Sequence, residues 1–267
     1  MAITTIAGAN AGAVLVRNFI KAAPGNAVSS HPSSLFYTAG YPAAAAAPTP
    51  GIGGAVLTSY TGQIPFDNPV SGNTYLSRFQ GVGTGAAGTL LICDRLWHNS
   101  GIDLTIATEQ AFTSSAQIPA RDATGTNSGI GVYAALEFSA QGGAAAPVYT
   151  FKYTNQSGIT GQTATTVVAS ANTPTAGKFC VFALAAGDTG VQKAESLTLS
   201  TSQLSGTAHI VLFRVIARLD IGSPYWANAQ DALKTGFVRC YDSTVPFLVY
   251  IPVSTTGFSG HIIFAQG

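Results

Sequence analysis

Thr207-Ala208-His209-Ile210-Val211-Leu212-Phe213-Arg214-Val215-Ile216-Ala217-Arg218-Leu219 is the stretch that decides the fold class. It is rich in the β-branched and aromatic residues that fill a pleated surface, and no glycine or proline breaks it. At period two, His209, Val211, Phe213 and Val215 share one face. Ile210, Leu212, Ile216 and the two arginines, Arg214 and Arg218, share the other. Apolar residues on both faces describe a strand buried on both sides, or one that commits a face to a partner.

The same pattern extends in both directions. Tyr75–Val82 and Gly88–Trp97 predict strands on either side of a glycine cluster, followed by Gly131–Phe138, Val148–Tyr153, Ala164–Ala169 and Phe179–Leu184. Ser196–Leu199, Phe237–Tyr241, Val245–Val253 and His261–Ala265 complete the set around the long central strand. Turn residues separate these runs at roughly the 8–12-residue spacing of sandwiches and barrels. One helix is expected over Tyr225–Lys234, with Ser223-Pro224 as cap and first position and Gly236 just past its end. Thr108–Ser115 suggests a further turn. The expected fold is mainly β: an antiparallel, jelly-roll-like β-sandwich with one short helix and an extended N-terminal arm.

That arm is residues 1–74, and the sandwich domain is residues 75–267. Gly8, Gly12, Pro24, Pro32, Pro42, Pro48 and Pro50 punctuate the first segment, and Ala43–Ala47 lies between prolines. Five alanines are too few to hold a helix, and the flanking prolines favour extended geometry. This much irregular chain points to an arm lying on a neighbouring subunit, or to a loose terminus.

Composition narrows the function classes. Of 267 residues, 12 are Lys or Arg and 11 are Asp or Glu, so 9% are charged, against roughly 25% in ordinary soluble domains. With 46% apolar residues and a net charge of +1, the chain is not a disordered tail. Its cations are scattered singly, which argues against nucleic acid as a partner. A nearly neutral, sparsely charged exterior protects a lone monomer poorly, so the surface is expected to be covered by other protein. Cys93, Cys180 and Cys240 are too far apart and odd in number for a disulfide framework, and are expected as core thiols. The segment after Met1 lacks a basic region, and Arg17 interrupts Ala13–Ile20, so no secretory signal is expected. No run reaches the ~18 uncharged apolar residues of a membrane helix.

Motifs that could carry chemistry are weak. Gly83-Thr84-Gly85-Ala86-Ala87-Gly88 has the dinucleotide-loop spacing, with Asp103 downstream, but Thr89–Cys93 reads as strand where that motif needs a helix. Cys93, Asp94, His98 and Asp103 crowd together without a metal-ligand spacing. An ion pair of Asp94 with Arg95, beside Trp97 and His98, is the expected arrangement. No G-x-S-x-G elbow occurs, Lys178 lacks a P-loop around it, and eleven acids leave a glycosidase pair improbable. Asn155-Gln156-Ser157 is read as a turn. Tyr225, Trp226 and Phe237 are candidate interface anchors around the short helix. No catalytic, cofactor-binding or metal-binding residue is assigned, and no enzyme activity, cofactor or small-molecule substrate is expected.

Four segments carry a resemblance. Cys93-Asp94-Arg95-Leu96-Trp97-His98-Asn99-Ser100-Gly101-Ile102, Gly131–Glu137, Leu184–Val191 and Arg214–Leu219 resemble runs in a group of tailed-bacteriophage virion proteins encoded beside the major capsid protein. The similarity spans roughly residues 75–267. It implies a virion structural role, with capsid cement or decoration the preferred version, and no catalytic residues. Such proteins are often β-rich homotrimers with arms crossing the shell lattice. The implied partners are the major capsid protein or other virion proteins, in a virion assembled in the bacterial host cytoplasm. A tail, neck or baseplate component is the alternative, followed by a carbohydrate-binding, host-facing surface protein.

Overall fold

The computed structural model describes residues 3, 5–25, 31–85, 88–113, 116–167 and 173–267. Ala86 and Ala87 of the glycine loop, Ser114 and Ser115 of the expected turn, and Val168 and Ala169 of one expected strand lie outside them.

The protein is mainly β and antiparallel, with the two-layered cores of a sandwich. In chain order its strands are β1 Ala13–Lys21, β2 Ser33–Ser34, β3 Gly40–Tyr41, β4 Ala55–Val56, β5 Thr74–Gly83 and β6 Gly88–His98. Then follow β7 Gln110–Ala111, β8 Val132–Phe138, β9 Tyr149–Asn155, β10 Gln162–Thr166, β11 Phe179–Ala183 and β12 Val191–Leu199. The last are β13 Ala208–Ile221, β14 Asn228–Asp231, β15 Val238–Cys240, β16 Pro246–Pro252 and β17 Phe258–Gln266. Helices α1 Ile6–Ala11 and α2 Ala232–Thr235 are short.

The chain forms two compact units. Unit 1 is Met1–Ala45, Thr58–Asp94 and Val215–Gly267; unit 2 is Ala46–Leu57 and Arg95–Arg214. The backbone passes between them after Ala45, after Leu57, within β6 and within β13.

In unit 1, one sheet has the order β14-β5-β17-β1-β3, with β15 also on β5. The other joins β2, β16 and the unit-1 parts of β6 and β13. Phe19, Phe79, Ile262 and Phe264 meet Leu90, Ile92, Leu219 and Tyr250 in a shared core. Gly260 sits opposite Phe19 in the β1–β17 ladder, and a Cβ there would run into the Phe19 ring and the Gln80 carbonyl. A side chain at 260 would therefore displace the aromatic ring that fills this layer.

In unit 2, the remainders of β6 and β13 continue through β8, β11, β10, β9, β12 and β7, and β4 pairs with β6. Its core contains Trp97, Leu136, Phe138, Tyr149, Phe151, Tyr153, Phe182 and Leu212, all buried. Trp97 is 6.2 Å from Phe112, and its ring lies where a Cβ on Gly54 would stand. Gly54 also has φ +71°, which favours glycine independently.

Several expectations change. Residue 74 is not a boundary between the units, and residues 13–21 are not a free arm. Every residue from Ala13 to Lys21 is matched to one from Gln266 to Phe258. The reason is a stripe at period two: Leu15 packs against the core and Phe19 is fully buried in it. Residues 46–57 join unit 2 instead, where Ala55 and Val56 pair with His98 and Trp97. The helix after Pro224 shrinks to Ala232–Thr235, because Asn228–Asp231 pair with β5 and Tyr225 takes φ +59°. Gly236 does follow its end, at φ +73°. Within the expected Thr108–Ser115 turn, Gln110 and Ala111 form β7 against Leu197 and Ser196.

Candidate functional site

The densest polar cluster belongs to unit 2 and is sealed inside it. Arg95 and Glu137 are both inaccessible to solvent, with Arg95 Nη2 2.5 Å from Glu137 Oε2. Arg95 Nε donates to His98 Nδ1 at 3.0 Å. Neighbouring residues on a strand point to opposite faces, so Arg95 turns away from Asp94 and takes Glu137 of β8 as its partner. Asp94, in unit 1, accepts instead from the Val245 amide at 2.9 Å. Alongside the expected Asp94–Arg95 arrangement, Asp94 thus binds the Val245 amide and Arg95 the Glu137 carboxylate.

Glu137 faces His209 in the β8–β13 register. His209 Nε2 lies 2.6 Å from Ser139 Oγ, which is 2.8 Å from Thr207 Oγ1. Serine, histidine and glutamate are therefore close, in the residue types of a hydrolase triad. Their setting differs: Glu137 is fully buried, His209 nearly so, and Ser139 is tied to the neighbouring strand. In this geometry the group fastens β6, β8 and β13 together.

Burial, reinforced by the Arg95 charge and by His209, lowers His98 to about 2. Burial also lowers His209 to about 4, with Glu137 opposing and Arg95 assisting. Both imidazoles are neutral in the folded protein, whereas the unfolded chain protonates near 6.5. The unfolded state therefore binds more protons below pH 6.5, and stability falls as pH drops through that value towards 4 and 2. Between pH 6.5 and 5 we expect a loss of about 1–2 kcal/mol for each histidine. Thermal midpoints across this window check it, and His209→Gln should flatten the slope.

Asp122 anchors the other polar feature of unit 2. Its buried carboxylate accepts from Thr124 N, Thr126 N and Gly129 N at 2.8–3.0 Å, and from the Thr124, Thr126 and Ser128 hydroxyls, each at 2.8 Å. Burial pushes the acid upward, but the donors of Thr126, Ser128 and Thr124 outweigh it and hold it far below the ordinary carboxylate range. Oxygens at positions 122, 124, 126 and 128 have the alternation of a cation loop. Here the hydroxyls donate to the carboxylate, so the loop is organised by its own hydrogen bonds. Among the described residues no group of three or more His, Cys, Asp or Glu is placed to hold a metal. Asp122→Asn is expected to cost about 2 kcal/mol, because donors lose a charged acceptor. Chemical denaturation would measure this.

Cys93, Cys180 and Cys240 are buried thiols outside any disulfide. A strand follows Gly88, as Thr89–Cys93 implies, in place of the helix a dinucleotide loop requires. Asp103 is solvent-facing and accepts from Thr105 N and Oγ1.

The surface of unit 1 is more distinctive than any cleft. Tyr225, Trp226 and Leu233 flank the edge strand β14, each more than 70% exposed. Phe237, expected with them, turns in to pack edge-on against Tyr75 at 6.4 Å. On β1, Val14, Val16 and Ile20 form an outward apolar row, each at least 50% exposed. Within a segment whose sequence suggests an arm, this row is easily overlooked. The signal was the run Val14, Val16, Ile20 at period two between Gly12 and Pro24.

No family model matches the chain, and no curated protein matches it. Among solved structures it is similar to the infectious bursal disease virus VP2 subviral particle, at 11% identity over 96% of this chain and 81% of that one, with a TM-score of 0.19. Likeness of that degree carries no argument about fold or function.

Proposed function

We propose that this chain is a non-enzymatic structural subunit of a bacteriophage virion, acting as a capsid cement or decoration protein. One observation carries the reading: a surface with only 9% charged residues in the chain leaves Trp226, Tyr225, Leu233, Val14, Val16 and Ile20 in solvent. Exposed aromatics and aliphatics of this kind suit protein contacts, where their burial is favourable and few charges must be desolvated. The resemblance of residues 75–267 to virion proteins agrees with it. The partners are the major capsid protein or other virion proteins, together with further copies of the chain in a homotrimer. Neither nucleic acid nor a membrane nor a small molecule is needed. Many equivalent sites on a shell would convert modest contacts into tight retention.

Purified protein mixed with particles stripped of it tests the reading. The expected result is co-sedimentation with heads, saturating at a fixed number of copies, and weakened by Trp226→Ser. Binding to separated tails instead would favour the tail, neck or baseplate alternative. Protein left in the supernatant by both fractions would overturn the structural role. The exposed Tyr225–Trp226 pair is also what a glycan-binding surface would use, and binding on a glycan array would favour that function.

A further inference from the structure

We draw no further inference here: the strongest candidate, the apolar cavity of about 620 Å³ in unit 1 lined by Ile20, Lys21, Ala22, Thr84, Gly257 and Phe258, carries nothing because nothing in the structure shows what covers it, and the Lys21 amine already donates to Thr38 O and Pro42 O.

Discussion

Glu137→Leu is expected to lower the thermal midpoint of unit 2 by about 10 °C, from a loss of about 3–5 kcal/mol. The substitution leaves the Arg95 guanidinium charged, fully buried and stripped of its 2.5 Å partner. His98 offers no replacement charge, since its imidazole stays neutral down to about pH 2. Arg95→Met alone should cost a similar amount by removing the guanidinium beside this buried carboxylate. Combining the two removes both charges, so the double variant should recover most of the loss. Calorimetry of all four proteins measures the coupling. If the single losses simply add in the double variant, the ion pair is not what holds β6 to β8.

Removing residues 1–21 is expected to abolish cooperative folding of unit 1. The deletion takes out β1, which is matched to β17 along its whole length and inserts Phe19 into the core. Truncating Phe19 to alanine alone should cost about 3–5 kcal/mol, against a whole-protein stability of about 5–15 kcal/mol. The truncated chain would also uncover Ile262 and Phe264 on β17, so aggregation should accompany the loss. Hydrogen exchange at Phe79 in β5 reads the outcome directly. Protection there unchanged by the deletion would restore the detachable-arm reading that the sequence suggests.

Strands were the most legible feature. Within the described residues, each run expected from Tyr75 onward contributes a strand, because β-branched and aromatic residues between turn formers have few other ways to bury themselves. The long central strand extends to Ile221, with apolar residues on both faces as its pattern implies. β1 was hidden for a local reason. Its neighbours are glycines, prolines and alanines, and its exposed row is as apolar as its buried one, so inward and outward faces look alike. The helix is shorter than the Ser223-Pro224 cap implies, because pairing with β5 claims Asn228–Asp231 first. For the polar cluster, Arg95 and His98 could be picked out, but Glu137 could not. It lies 42 positions away, and only the order of β6, β13 and β8 brings it near.

The proposed particle role requires that the apolar side chains left in solvent by the isolated chain be covered in its working assembly. Electron microscopy of the intact particle at side-chain resolution would answer it in one image. The expected image has this chain bound to the shell, with Trp226 and Val16 each in van der Waals contact with a neighbouring polypeptide. Particles without the chain, or with both residues facing open water, would contradict it.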